Sequence, residues 1–102
     1  MVFYEITAVV DAEIASQFEA FMSETHIFDV LATGYFSNAA LYRNGERYLI
    51  RYEAEHQSKI DQYLDLKAPL LRSMFLERFP SGVRLSRDTW EVLARFEPKP
   101  RL

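Results

Sequence analysis

A histidine and an aspartate three residues apart are the clearest candidates for chemistry in this sequence. His26 and Asp29 lie in an apolar run that reads THIFDVLATGYF, residues 25–36. An imidazole can act as a general base while a neighbouring carboxylate orients its ring. The same side chains could instead bind the free backbone groups at the end of a helix. Isolated pairs of this kind are more often structural than catalytic, so both interpretations stay open.

Glu5 and Arg51 form a second candidate pair, and their meeting depends on the register of two predicted strands. An antiparallel register that sets Thr7 opposite Leu49 also sets Glu5 opposite Arg51. In that position Arg51 could bind a polar or anionic ligand through its planar guanidinium. The alternative is an ordinary cross-strand ion pair, which contributes up to about 1 kcal/mol.

Aromatic side chains make up 15% of the 102 residues and supply a third group of candidates. Tyr35 and Trp90 could line a ligand pocket, together with Tyr48, Tyr52 and Tyr63. Aromatic residues that recur with the period of a strand or a helix are far more often part of the core. The sequence therefore keeps Tyr35 and Trp90 as ligand-binding candidates beside this simpler interpretation.

Neither a metal site nor a cofactor is expected. The two histidines and the scattered carboxylates do not form a recognised metal-ligand spacing. The sequence has no cysteine, which excludes thiolate chemistry, and its three glycines form no glycine-rich phosphate loop. A nucleophile motif of the GxSxG type is also absent from the sequence.

Charge and hydropathy limit the partners and the location that the sequence predicts. The net charge is −3 and no basic run stands out, so nucleic-acid binding is not expected. No apolar stretch approaches the roughly 20 residues that cross a bilayer, and the first residues lack the pattern of a signal peptide. We therefore expect a cytoplasmic protein without a membrane segment.

Hydrophobic periodicity predicts the elements that would position these residues. Runs of β-branched and aromatic residues with a period of two indicate strands. Apolar residues at i, i+4, i+7 and i+8 indicate a helix after Asp11. The predicted elements are strand 2–10, a helix to about residue 24, strands 35–43 and 47–54, helix 57–78 and strand 83–97.

Local signals refine these elements at three places. An extra helical turn is expected at residues 27–32, ended by Gly34. The Asn-Gly dipeptide at residues 44–45 predicts a hairpin turn between the second and third strands. Pro69 predicts a kink or a break near residues 67–68, because proline removes a backbone donor and clashes with the preceding turn.

The last strand carries two apolar sets of opposite parity. Val83 and Leu85 have odd numbers, whereas Trp90 and Phe96 have even numbers. One extra residue near 87–88 would bring both sets to the same face, so we predict a β-bulge there.

The element order β-α-β-β-α-β predicts a single α+β, ferredoxin-like domain over residues 1–102, with a frayed tail at 97–102. A four-stranded antiparallel sheet then carries two helices on one face, with the first and third strands as central neighbours. The other face, half apolar and half charged, could form a homodimer interface with a partly polar cavity. Its expected members are Phe3, Glu5, Thr7, Val9, Leu49, Arg51, Glu53, Thr89, Glu91, Leu93 and Arg95.

The stretch HIFDVLATGYF, with the βα unit that starts MVFYEITAVVD before it, resembles the bacterial DUF4286 family of unknown function. That family's pattern is roughly His-Ile-Pro-Asp-Val-Leu-Ala-Thr-Gly-x-Phe, and Phe28 stands here in place of the proline. Weaker similarity covers residues 63–69 and 87–92. The family is similar in design to the dimeric α/β barrels, which include cofactor-free monooxygenases, haem-degrading enzymes, isomerases and members without known activity. The resemblance implies a fold and a dimer, and it assigns no catalytic residue.

The sequence thus predicts a small dimeric α/β-barrel protein that binds a small organic metabolite. The alternative is a cofactor-free enzyme of the monooxygenase or isomerase type. In that case His26 is the general base, Asp29 orients it, and Arg51 or Tyr35 holds an oxygen atom. A cavity on the order of several hundred Å3 between the helices and the sheet, reached by His26 and Asp29, would favour the enzyme.

Overall fold

The computed structural model describes residues 1–100 and confirms the predicted order of strands and helices. Each of the two predicted helices is divided into shorter segments. Among residues 1–100, none of the helices has the length and hydropathy of a membrane-spanning segment. The elements are β1 (Val2–Val10), a 3₁₀ turn (Ala12–Ile14), α1 (Ala15–Phe21), a π-helical segment (Met22–His26), α2 (Ile27–Ala32), β2 (Asn38–Asn44), β3 (Arg47–Ala54), α3 (Gln57–Leu66), α4 (Ala68–Arg78) and β4 (Val83–Glu91).

The strands form one antiparallel sheet in the order β2-β3-β1-β4, with β1 and β3 at the centre as predicted. Thr7 lies opposite Leu49 and Glu5 lies opposite Arg51, which confirms the predicted register. Side chains alternate across a strand, so the even-numbered residues of β1 and β3 face the helices. The odd-numbered residues, Phe3, Glu5 and Arg51 among them, form the opposite side, which we call the uncovered face.

The core lies between the helices and the sheet and is rich in aromatic rings. Phe18 of α1 packs against Tyr48 with ring centroids 5.0 Å apart, and Phe36 packs against Tyr52 at 5.1 Å. Tyr52 is fully buried, and its hydroxyl has no hydrogen-bond partner among the described residues. Aromatic side chains bury large areas, which helps so short a chain to form a stable core.

The β2–β3 hairpin forms as predicted, but its turn is one residue further along the chain. Asn44 pairs with Arg47, so Gly45 and Glu46 are the two central residues of the turn. Gly45 has a φ of 61° whereas Glu46 has no positive φ, as in turns that place glycine at the first central position. The asparagine therefore ends β2 instead of entering the turn.

The first helical stretch continues beyond the predicted end near residue 24. α1 passes through the π-helical segment into α2 without a break, which confirms the extra turn at 27–32. The Gly34 N–H donates a hydrogen bond to the Leu31 carbonyl at 3.1 Å. Gly34 has a φ of 85°, a left-handed conformation that favours glycine, and it ends the helix as predicted.

The second helical stretch is broken at the predicted place. α3 ends at Leu66, and Lys67 leaves the helical conformation with a φ of −120°. Pro69 lies in the first turn of α4, where its missing N–H leaves no helical hydrogen bond unmade. The proline therefore acts as the start of a new helix.

The predicted β-bulge near residues 87–88 is wrong. β1 and β4 pair without interruption along the whole of β4. An unbroken ladder keeps the backbone donors and acceptors of both strands paired, and this outweighs the burial of one more aromatic side chain. As a result Trp90 lies opposite Phe3 on the uncovered face, whereas Arg87 lies opposite Ile6 on the side of the helices.

The end of β4 also differs from the prediction. The strand stops at Glu91 instead of residue 97, and residues 92–100 have no regular secondary structure. Thr89 and Glu91 belong to the helix-facing side, because β4 has no bulge that would move them to the uncovered face. Arg95 does reach that face, where its guanidinium donates a hydrogen bond to Glu53 at 2.8 Å. Of the predicted frayed tail, residues 101–102 lie outside the described residues.

Candidate ligand-binding site

A cavity of about 300 Å3 lies between the helices and the sheet. Phe18 and Ile50, both almost fully buried, form its floor. Arg72, Leu76 and Arg87 are exposed and mark its mouth, where α4 faces β4. The walls between the floor and the mouth are formed mainly by the apolar or aromatic side chains of Tyr4, Ile6, Leu71, Phe75 and Leu85.

The π-helical segment brings two side chains to this cavity. The Ile27 N–H donates its hydrogen bond to the carbonyl of Met22, five residues back, so this turn is wider than an α-helical turn. Met22 and His26, at the two ends of the segment, both line the cavity. π-helical turns of this kind occur frequently at functional sites. The sequence pattern did not predict this turn.

His26 is half-buried among aromatic rings. Its imidazole centroid lies 5.5 Å from the Phe21 ring and 5.7 Å from the Phe75 ring. Burial lowers the pKa of His26 below its usual value, and the negative charge of Asp29 opposes this only in part. A helix that ended near residue 24, as the sequence predicts, would set His26 beside its C-terminus, where the helix dipole favours the imidazolium. The helix instead continues past His26. The neutral imidazole is therefore the favoured form in the cavity.

Asp29 does not complete the predicted pair. Its side chain does not line the cavity, and no hydrogen bond joins it to His26 in the described part of the chain. The two side chains do not cap the helix either. Neither the π-helical segment nor α2 has a hydrogen bond from a capping side chain. Asp29 influences His26 only through its charge.

Tyr63 of α3 is a buried tyrosine in the cavity lining. Burial raises the pKa of Tyr63 to about 12, with a smaller contribution in the same direction from Tyr4. The positive charges of Arg72 and Arg87 lower it and so oppose this effect. Tyr63 therefore keeps its proton and can donate a hydrogen bond to a bound molecule.

The second predicted pair lies on the uncovered face, away from the cavity. Arg51 Nε donates a hydrogen bond to Glu5 Oε2 at 2.6 Å, so the two side chains meet as predicted. The guanidinium carbon of Arg51 also lies 4.8 Å from the Phe3 ring centroid and 5.7 Å from that of Tyr42. The Nε–H of Arg51 is engaged within the chain, as are its two ring contacts, and its ligand-binding role stays a prediction.

Tyr35 and Trp90 also lie outside the cavity. Tyr35 is half-buried, with its ring 6.5 Å from that of Tyr63. Trp90 is 56% exposed on the uncovered face, because β4 has no bulge. The sheet itself thus separates Glu5, Arg51 and Trp90 from His26, and the predicted site residues do not form one site.

Sequence reasoning missed the two arginines at the cavity mouth. Arg87 has odd parity with Val83 and Leu85, and this parity was the available signal that it faces the helices. The bulge predicted near residues 87–88, from the opposite parity of the two apolar sets, hid this signal. Within residues 1–100, no group of three metal-ligating His, Cys, Asp or Glu side chains comes together.

The sequence matches the family described as "Domain of unknown function (DUF4286)" over residues 1–93. The chain belongs to this family. The match confirms the resemblance seen in the HIFDVLATGYF stretch, and the family description assigns no function to the DUF4286 domain. No curated protein matches the sequence.

Solved structures show the same fold as this DUF4286 domain at low sequence identity. The heme-degrader MhuD from Mycobacterium tuberculosis, solved with two hemes in its active site, has a TM-score of 0.72 and 16% identity over 95% of this chain and 100% of that one. A provisionally named antibiotic biosynthesis monooxygenase from Deinococcus radiodurans has a TM-score of 0.70 and 15% identity over 98% and 100%. A dimeric ferredoxin-like protein from an uncultured marine organism has a TM-score of 0.65 and 9% identity over 96% and 100%. These similarities confirm the ferredoxin-like fold.

Proposed function

We propose that this DUF4286 domain binds a small, largely apolar organic molecule in the cavity between the helices and the sheet. The observation that carries the proposal is the cavity itself, about 300 Å3 in volume, with apolar walls and few polar groups. Ligand sites in proteins are usually mostly apolar clefts of about 300–1,000 Å3 with a small number of placed polar groups. The cavity is at the lower end of this range, which favours a small ligand.

The relatives of known structure support this use of the fold without fixing the ligand. MhuD was solved with hemes in its active site, and another neighbour carries the name of a monooxygenase. Both names describe proteins that act on organic molecules. At 15–16% identity the ligand and the reaction do not transfer to this chain.

A neutral fluorescent probe, phenylnaphthylamine, tests the proposal. Its fluorescence rises in apolar surroundings, and we expect saturable binding to the wild-type chain. Leu76→Trp fills the cavity mouth from an exposed position, so it should weaken binding at least about tenfold without unfolding the chain. Leu70→Trp is the matched control, because Leu70 lies on the same helix, is 69% exposed and does not line the cavity. Equal binding by both variants would contradict the cavity as the site.

A second candidate function is catalysis with His26 as the general base. The lowered pKa of His26 and its place in the cavity lining favour a neutral imidazole that could accept a proton from a bound carbon acid. Asp29 would then tune the base through its charge, without orienting it by a hydrogen bond. Such proton removal is a step that both isomerisation and cofactor-free oxygenation can begin with.

Hydrogen–deuterium exchange tests this second function. A panel of small aryl ketones is incubated with the protein in D2O, and exchange at the acidic carbon is followed by NMR. We expect the exchange of at least one compound to be accelerated by the wild type, to be lost in His26→Gln, and to persist in Asp29→Asn. If the wild type and His26→Gln give the same exchange rates across the panel, His26 is not a general base.

We also propose that the uncovered face is covered by a second copy of the chain. Trp90 is 56% exposed there, and Leu93 and Phe96 in the segment after β4 are 87% and 90% exposed. Exposed apolar groups of this size commonly mark interaction surfaces. One structural neighbour is described as a dimeric ferredoxin-like protein, which supports a dimer here.

Size-exclusion chromatography with light scattering tests the dimer. We expect a mass twice the 12.0 kDa of the chain, falling to the single-chain mass in Trp90→Glu. Leu70→Glu adds the same charge on the opposite side of the molecule and should remain dimeric. A wild-type mass of one chain would contradict the proposal.

A further inference from the structure

Two arginines at the mouth of the cavity have no acidic partner in the described part of the chain. Arg72 on α4 and Arg87 on β4 are both exposed at its rim. Within residues 1–100, no carboxylate oxygen lies within 4.0 Å of either guanidinium, and no Asp or Glu lines the cavity. Four other arginines do have such partners, in the pairs Arg43–Glu19, Arg51–Glu5, Arg84–Asp11 and Arg95–Glu53, whereas Arg47 and Arg78 have none among residues 1–100.

The side of the sheet on which Arg87 lies makes its position unusual. Val83 and Leu85 precede it on the same side of β4 and pack against the core. Arg87 lies opposite Ile6, at a position where a third apolar residue would continue that pattern. The unbroken ladder fixes Arg87 on the side of the helices, so its guanidinium lies at an apolar cavity.

Both guanidiniums also act on the inside of the cavity. Both arginines line the same cavity as Tyr63, and their positive charges oppose the effect of burial on the pKa of its hydroxyl. The chain as a whole has a net charge of −3. An excess of positive charge at this one opening therefore contrasts with the rest of the molecule and would attract an anion.

We propose that the ligand of this cavity is an organic acid, whose anionic group binds Arg72 and Arg87 while its apolar body lies between the helices and the sheet. This rests on the function proposed above and names the class of its ligand. A guanidinium presents several donors in a plane that fits a carboxylate or a sulfonate. Tyr63 can add a further donor inside the mouth. The apolar walls offer nothing to a second charge, so the ligand carries its charge at one end.

A pair of probes that differ only in charge tests this proposal. Anilinonaphthalene sulfonate has the aromatic body of phenylnaphthylamine and adds one sulfonate. Affinities of both probes are measured for the wild type, for Arg72→Met/Arg87→Met and for Arg78→Met/Arg84→Met. Methionine keeps an apolar stem of similar length, so the cavity walls stay in place. The control pair removes the same charge from the same two elements, α4 and β4, outside the cavity.

We expect Arg72→Met/Arg87→Met to weaken binding of the sulfonate at least about tenfold, because hydrogen bonds to charged groups are lost. Binding of the neutral probe should change less than about twofold in that variant, and the control pair should affect neither probe. Equal loss of both probes, or an unchanged sulfonate affinity, would overturn the proposed anion site while leaving the cavity as a binding site. Sulfonate binding that survives Leu76→Trp would also overturn it. If the wild type binds neither probe, the proposed function itself fails, and the anion site fails with it.

Discussion

Replacement of His26 by phenylalanine should change how the stability of the fold depends on pH. The folded state holds His26 half-buried between Phe21 and Phe75, and this burial lowers the pKa of His26. The unfolded chain keeps the ordinary value near 6.5, so below about pH 7 the unfolded state binds more protons than the folded state. The free energy of unfolding therefore falls as the pH falls through the pKa of His26 in the unfolded chain and towards its lower pKa in the folded state. One group limits the slope to about 1.4 kcal/mol per pH unit.

Urea unfolding at pH values from about 7.5 to about 5 measures this effect as the difference between the wild type and His26→Phe. We expect the wild type to lose stability relative to the variant as the pH falls, since phenylalanine has no proton to bind. Asp29→Asn should steepen the loss, because the charge of Asp29 raises the pKa of His26. His56→Gln is the control at an exposed position. A wild type that gains relative stability at low pH would refute the reasoning, because it would mean a raised pKa at a helix end.

Three further substitutions test separate features of the fold. Tyr52→Phe should raise the free energy of unfolding by about 1 kcal/mol in urea, because it removes a buried hydroxyl without a protein partner; a loss would mean that this hydroxyl is bonded. Gly34→Ala should lower it by about 1–2 kcal/mol, and Gly34→Asn by less, because alanine is disfavoured at a φ of 85°; equal losses would contradict this cause. A double-mutant cycle of Glu5→Gln and Arg51→Met, measured at low protein concentration, should give a coupling of about 0.2–1 kcal/mol; a coupling above about 3 kcal/mol would indicate a fully buried pair.

The parts of the fold that the sequence predicted correctly are those that local chemistry determines. Pro69 lacks an N–H wherever it is placed, so a break just before it followed from that residue alone. The register of β1 on β3 followed from alternation, because a shift by one residue would turn every core side chain to the other face. The meeting of Glu5 and Arg51 came with that register.

The parts that the sequence did not predict depend on packing between elements. Nothing local marks the π-helical segment: its polar residues, Ser23 to Thr25, are equally compatible with the end of a helix. The wider turn is recognised only from the hydrogen bond between Ile27 and Met22. The position of Trp90 likewise depends on the unbroken pairing of β4 with β1, which no pattern within β4 reveals.

The candidate site likewise depends partly on local sequence and partly on packing between elements. His26 and Asp29 are only three residues apart in the sequence, yet only His26 lines the cavity. The residues that join His26 there come from other elements, Tyr63 from α3 and Arg72 from α4. A site assembled in this way cannot be inferred from the spacing of residues within one stretch.

The sequence predicted neither the π-helical segment nor the unbroken pairing of β4, and both bring a side chain to the same cavity. Their meeting at one place argues against a chance packing defect. The π-helical segment brings His26 to the cavity, and the unbroken β4 ladder brings Arg87 to its mouth. If only stability mattered, an apolar residue beside Ile6 and Leu85 would bury more surface than an unpaired arginine does. Arg87→Leu should then raise the free energy of unfolding by about 1 kcal/mol and weaken sulfonate binding, the usual trade-off at a functional position. If Arg87→Leu instead destabilised the fold, Arg87 would have a structural role and would not be kept for ligand binding.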